Sequence, residues 1–293
     1  MGEHNHNAKK IGWTILLNIV ITLAEYIGGI FSGSLALLSD AGHNLSDVIS
    51  LILGYFGEKI SGSKASKRHS FGFKRTEIFT ALINALSLWA IAIFIVIEGI
   101  KRLSSNDNIS VGLMLGIALI GLFGNLFSIL ILNKDKDHNL NMKAAYLHLF
   151  YDTVSSVAVI ISGIIIYYTN FIILDVIISF FIALMIIYSG FSILKRCIHI
   201  FMQGVPEGID FEDVFKKIGR TKGIKSAHNL HIWSINSNES FLSCHICTDN
   251  KKKDSDNIIK SVNTMLKKDF GIEHTTIQIE NNNMCKDGMV CCK

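Results

Sequence analysis

Histidine and aspartate recur four residues apart at two places in the chain, in His43-Asn44-Leu45-Ser46-Asp47 and in His148-Leu149-Phe150-Tyr151-Asp152. On a helix that spacing puts both side chains on one face, with Cβ atoms about 5–6 Å apart. Two such helices facing one another would offer two imidazoles and two carboxylates. That is the four-coordinate nitrogen and oxygen set that Zn²⁺ accepts at about 2.0–2.2 Å. Two carboxylates held together repel unless a cation or protons neutralise them, so exchange between those states ties metal movement to proton movement. Other polar residues fall into helical register with each other: Asn18, Thr22 and Glu25 in one segment, Gly121, Asn125 and Ser128 in another. Asn18, Glu25 and Asn125 are candidates for an ion or proton path, Asp40 for a helix-entry or supporting role, and Gly121 and Ser128 for packing.

The elements that must position these residues are apolar. Of 293 residues 49% are hydrophobic, 18% are charged and one is proline, Pro206; the mean hydropathy is +0.40. A soluble chain would carry about 25% charged residues and about 5% proline. A hydrocarbon core requires about 20 apolar helical residues. Six segments reach that length: 11–31, 35–55, 78–100, 111–132, 144–168 and 171–194. Asp40, His43 and Asp47 interrupt the second, but their i, i+3, i+7 spacing keeps them on one helical face. A charged side chain at mid-span costs about 2.5–3.5 kcal/mol on the insertion scale, so such residues usually line a functional path. The first segment follows Lys9 and Lys10 and has no small-residue cleavage site, which favours an uncleaved helix.

Connecting basic residues set the orientation. Lys59, Lys64, Lys67, Arg68, Lys74 and Arg75 follow the second segment, and Lys134 and Lys136 follow the fourth. The first-to-second and fifth-to-sixth connections have no Lys or Arg, and the third-to-fourth has only Lys101 and Arg102. The bias puts both termini in the cytoplasm. Beyond Pro206 the pattern becomes that of a small soluble domain. Helices are expected at 210–220 and 254–270, and strands at 226–235, 240–248 and 275–280. This αββαβ order predicts two helices on one face of a three-stranded sheet. The domains expected are a cytoplasmic tail at 1–10, a six-helix transmembrane domain at 11–203, and a cytoplasmic metal-binding domain with a cysteine-containing tail at 204–293. The six cysteines all follow the last apolar run or lie at its end, which argues against an extracellular disulfide framework.

Several stretches are recognisable together. Ser39-Asp40-Ala41-Gly42-His43-Asn44-Leu45-Ser46-Asp47 resembles the second-helix signature of the cation diffusion facilitator family. Arg68-His69-Ser70-Phe71-Gly72-Phe73-Lys74-Arg75-Thr76-Glu77 resembles its cytoplasmic loop, and Leu230-His231-Ile232-Trp233-Ser234 and Thr276-Ile277-Gln278-Ile279-Glu280 its C-terminal domain. The resemblance spans residues 11–280. It implies a homodimer of six-helix subunits in a lipid bilayer, with ferredoxin- or metallochaperone-like cytoplasmic domains, exporting metal in exchange for protons. A transport site of two His and two Asp goes with zinc-preferring members. His228, His245 and Glu280 match ligands of the family's cytoplasmic zinc site, and Cys285, Cys291 and Cys292 follow closely enough to complete a mixed set. His4 and His6 resemble an N-terminal element that in some relatives reaches the neighbouring subunit. The chain departs from the pattern twice. The fourth-to-fifth connection holds only His138 instead of a His-rich stretch, and Lys74 stands where some relatives have a ligand His near His69. Cys197, Cys244 and Cys247 are expected to act as small hydrophobes.

The expected activity is therefore a Zn²⁺/H⁺ antiporter of the cell membrane working by alternating access, with Zn²⁺ both cargo and regulator. The alternatives are an exporter of broader Cd²⁺, Co²⁺ and Zn²⁺ specificity, since affinity order alone does not set selectivity, and an intramembrane metallohydrolase. Against the last, all four ligands are protein groups and no His-Glu-x-x-His segment is present. A metal sensor would leave six helices with buried ligands unexplained. No nucleic acid and no small-molecule substrate other than metal ions is expected.

Overall fold

The computed structural model describes residues 2–104, 109–132, 140–248 and 255–281. It divides the chain into two compact units, one of residues 1–55 and 81–194, the other of residues 56–80 and 195–293.

The first unit is built from long helices: α1 (Gly2–Ser32), α2 (Leu35–Ser61), α3 (Thr76–Arg102), α4 (Val111–Leu132), α5 (Leu140–Thr169) and α6 (Ile173–Phe201), of which α2, α3 and α6 run on into the second. Most extend a few residues past the apolar segments that foretell them, because polar residues continue a helix beyond the hydrocarbon length. Among the described residues, four helices are long and apolar enough to cross a membrane: α3, α4, α5 and α6. In α1 the described apolar stretch is shorter, Leu16–Ser32; α2 is interrupted by its own acids. The helical backbone of α1 runs back through the segment expected to be a tail.

Their exposure is inverted relative to a water-soluble bundle. On α1, Leu16, Val20, Leu23, Ile27 and Ile30 face outward while Asn18, Thr22 and Glu25 are buried. On α6, Ile177, Phe181, Leu184 and Tyr188 face outward while Asp175 and Ser179 are fully buried. Apolar outside and polar inside is stable only where the surroundings are hydrocarbon. Leu35, Leu37, Leu88, Ile95, Met114, Val159 and Ile186 form the bundle core, and Ala36, Ala92, Ala118 and Ala183 pack within it, the small residues that let helices approach closely.

The start of α2 is held from far away in sequence. Gly33 turns the chain with φ 70°, a conformation that favours glycine. The Asp175 carboxylate of α6 then accepts from Ser34 Oγ (2.6 Å), Leu35 N (2.6 Å) and Ala36 N (3.2 Å). Ser34 Oγ accepts in turn from Leu37 N at 3.1 Å. One side chain thus satisfies two of the amides that a helix start leaves open, and its charge suits the positive end of the helix. The backbone N–H of Ser110 also donates to Ser32 O at 2.8 Å.

The second unit realises the expected αββαβ order: α7 (Phe211–Gly219), β1 (Ile224–Ser234), β2 (Ser240–Thr248), α8 (Ser255–Phe270) and β3 (His274–Asn281). Asp210 caps α7 by accepting from Glu212 N and Asp213 N. The sheet order is β1-β2-β3, antiparallel between β1 and β2 and parallel between β2 and β3, so α8 is the crossover a parallel pair needs. Val214 and Ile218 from α7 and Ile258, Val262 and Leu266 from α8 pack with Leu230, Ile232, Leu242, Cys244 and Ile246. One sheet face is thereby the core, and the alternate residues of each strand stand on the other. A bulge between His228 and His231 shifts register, with Asn229 at φ 50°, the left-handed region Asn tolerates.

Candidate metal centres

His43 and Asp47 lie on one face of α2, with Nε2 and Oδ2 3.8 Å apart. Asp152 on α5 is 1% exposed and lies within electrostatic reach of both Asp47 and Asp40. The α2–α5 approach is direct: Ser155 Oγ donates to Asp40 Oδ1 at 2.5 Å, and Ser156 Oγ lies 3.5 Å from Asp40 Oδ2. Asp40 therefore has the supporting place the sequence suggested, tying α2 to α5 one turn from each motif. His148 lies one turn before Asp152 on the α5 backbone; its side chain is outside the described residues.

A second polar layer adjoins this centre. Glu25 is 1% exposed. Its Oε2 accepts from Asn44 Nδ2 at 2.9 Å, so α1 is tied to the residue between His43 and Asp47. Glu25 lies in electrostatic reach of Asp40 and Asp152. Gly121 of α4 faces it so closely that a Cβ there would collide with the carboxylate. Asn125 on α4 is fully buried, and neither atom of its amide has a hydrogen-bond partner among the described residues. Asn18 Oδ1 is in the same condition. Ser128 and Thr22 instead bond to their own helices, at Gly124 O and Asn18 O.

In the second unit the polar face of the sheet gathers another set. His228 pairs with His245 across β1 and β2, and Cys247 pairs with Glu280 across β2 and β3. Glu280 Oε1 accepts from His245 Nδ1 (2.8 Å) and Gln278 Nε2 (2.9 Å). Glu280 Oε2 lies 3.1 Å from His228 Nε2 without hydrogen-bond alignment. Asn229 at the bulge bridges His231 Nε2 (3.0 Å) and His245 Nε2 (3.3 Å) through its amide. His245 is thereby held at both ring nitrogens, Nε2 at Asn229 and Nδ1 at Glu280, the kind of contact that fixes a ligand's orientation. His231 therefore helps hold this network. The residues fit a divalent metal: a carboxylate, two imidazoles and a cysteine sulfur converge on one face of the sheet.

Cys247 is what the sequence reading set aside. Grouped with Cys197 and Cys244 as a small hydrophobe, it instead joins His228 and Glu280, one ligand atom from each lying within 4.8 Å of the others. The signal was available: Cys247 is two residues from His245, hence on the same strand face. Cys244 points to the core, where burial pushes its thiol up to about 12. Cys247 is disulfide-bonded. Cys285, Cys291 and Cys292 lie outside the described residues, as do the side chains of His4 and His6 on α1. His69 is exposed in the loop before α3, its ring 4.4 Å from that of Phe73. It belongs to no potential metal group among the described residues. Asp175, the distant cap of α2, was also not anticipated.

Comparison with known proteins places both units. Residues 13–202 match the cation efflux transmembrane domain, and residues 206–282 match the cytoplasmic domain of cation efflux proteins. The chain is 39% identical over 298 residues to a cadmium, cobalt and zinc/H⁺-K⁺ antiporter of Bacillus subtilis, covering 99% of this chain and 96% of that one. It is 35% identical to the metal cation efflux system protein CzcD of Cupriavidus metallidurans, covering 95% and 89%. It is 32% identical to the zinc transporter ZitB of Pectobacterium atrosepticum, covering 94% and 88%. With both domains matched in order and acids buried inside an apolar bundle, the chain is an integral membrane protein that belongs to the cation diffusion facilitator family.

Proposed function

We propose that the protein exports divalent metal cations from the cytoplasm in exchange for protons, through a six-span bundle that opens alternately to either side. The observation that carries this reading is the His43–Asp47 pair on α2 beside a buried Asp152 on α5. His43, Asp47, His148 and Asp152 bind the cargo. When it leaves, protons on the carboxylates relieve their repulsion, and Glu25 with Asn18 and Asn125 lines the route those protons take. Zn²⁺ is the main cargo, with Cd²⁺ and Co²⁺ accepted, because a borderline imidazole and carboxylate set does not separate these ions by affinity alone.

The unit acts as a homodimer in the cell membrane with both termini in the cytoplasm. Metal held on the sheet by His228, His245 and Glu280 regulates: binding to one arrangement of the domain favours it by its differential affinity and by no more. The test is uptake of Zn²⁺, Cd²⁺, Co²⁺, Mn²⁺ and Mg²⁺ into proteoliposomes with and without an imposed pH gradient. Zn²⁺ uptake that rises with the gradient, with Mg²⁺ excluded, is expected. Zn²⁺ uptake indifferent to the gradient removes the proton coupling, and no uptake of any ion removes the transport reading.

A further inference from the structure

The cysteine on the polar sheet face has no part in the export just described, yet it stands among the most buried polar groups of its unit. His228 is 2% exposed, Glu280 7% and Cys247 0%. Ligands bonded to a tetrahedral metal at about 2.0–2.3 Å stand about 3.3–3.8 Å from each other. One ligand atom from each of the three lies within 4.8 Å of the others; Glu280 Oε2 is 3.1 Å from His228 Nε2, and Cys247 Sγ is 3.9 Å from the other ring nitrogen, Nδ1. The buried Oε2 atom has no aligned donor, while Oε1 is held by His245 and Gln278. One carboxylate oxygen is thus fixed by the protein, and the other is directed toward the imidazole and the sulfur.

We propose that Cys247 is a thiolate ligand of the cytoplasmic metal centre, beside His228 and Glu280, and that its disulfide makes the centre sensitive to thiol redox state. The proposal rests on the reading of that face as a metal site and assigns it a sulfur that the His, His, Glu set lacks. A sulfur ligand gives the regulatory centre a preference for softer ions than the oxygen and nitrogen centre of the helices. In the disulfide form Cys247 has no thiolate to give. A dithiol reductant transfers two electrons and two protons to the disulfide, yielding two thiols and its own cyclic disulfide. The Cys247 thiol then loses its proton to solvent as its sulfur bonds the metal. The centre is open to metal in the dithiol state and closed to it in the disulfide state.

Cobalt titration of the full-length protein in detergent, with and without prior dithiol reduction, tests this. Thiolate-to-cobalt charge transfer gives an intense near-ultraviolet band that imidazole and carboxylate ligands do not, so the helix centre is silent in it. We expect the band only after reduction. In a C285S/C291S/C292S chain that elutes as the native protein, Cys247 remains and the band should keep at least half its intensity. In Cys247→Ser, with the three tail cysteines intact, it should vanish. A band lost from the tail variant, or unchanged in Cys247→Ser, overturns the assignment without requiring the latter variant to behave like wild type. Cobalt bound in a His228-dependent manner, seen in the visible d–d spectrum but without the charge-transfer band, leaves the metal site standing and removes Cys247. No His228-dependent cobalt in either redox state removes the site itself, and the proposal with it.

Discussion

The two candidate metal centres are assembled in opposite ways. The helix centre takes its residues from two short segments in which spacing alone aligns them: His43 and Asp47 on α2, Asp152 on α5. The sheet centre takes one residue or two from each of three strands, His228, then His245 and Cys247, then Glu280, and depends on register to bring them together. The difference carries over to chemistry. The helix centre is nitrogen and oxygen and is crowded with buried acids that protons can neutralise. The sheet centre is bound into a hydrogen-bonded ladder, is braced by Asn229 and Gln278, and contains sulfur. Reversible loading suits the first and retention suits the second.

The largest effect should come from removing charge at the helix centre. Asp47→Ala is expected to reduce Zn²⁺ flux in proteoliposomes to that of empty vesicles, because too little negative charge is left to offset a dehydrated dication. Flux near wild type would detach Asp47 from the path and erase the contrast between the centres. Next in size is the remote clasp on α2. Asp175→Ala leaves the Leu35 and Ala36 amides buried without their acceptor, at about 1–3 kcal/mol for an unsatisfied group. A lower thermal midpoint in detergent and weakened flux are expected, since α2 carries His43 and Asp47. An unchanged midpoint would show that the helix start finds another acceptor.

A smaller change is expected from His43→Asp, which exchanges a borderline nitrogen for a hard oxygen. Competition between Zn²⁺ and Cd²⁺ in the flux assay should show the zinc preference relaxed while transport continues; the same preference as wild type would assign selectivity elsewhere. The smallest effect should be Asn229→Ala. It frees the outer nitrogen of His245 and removes the partner of His231, for which losses of about 10–100-fold in metal affinity are typical. Zn²⁺ titration of a chain that also carries Asp47→Ala would isolate the sheet centre; affinity equal to that of the parent would make Asn229 a bulge residue and nothing more.

What could be read in advance follows the same division. The His43–Asp47 pair was legible because an i, i+4 contact is local, and the αββαβ order because alternation and turn residues are local too. The capping of α2 was not legible: Leu35 and Asp175 are 140 residues apart, and an Asp at the start of an apolar helix reads as that helix's own first turn. Cys247 was half legible. Its face follows from its distance to His245, but its pairing with Glu280 depends on a parallel register that no local pattern encodes. Glu25 was placed on the right face of α1 by periodicity alone, while its bond to Asn44 needed the packing of α1 against α2.

The central claim is that the helix centre moves metal and the sheet centre does not. Asp152→Ala and His228→Ala, reconstituted side by side under the same pH gradient and assayed for initial Zn²⁺ flux across a range of Zn²⁺ concentrations, test it most directly. The account predicts no flux from Asp152→Ala at any concentration, and maximal flux near wild type from His228→Ala with its zinc dependence displaced. Flux retained by Asp152→Ala, or abolished by His228→Ala in a chain that still inserts and dimerises, would contradict it.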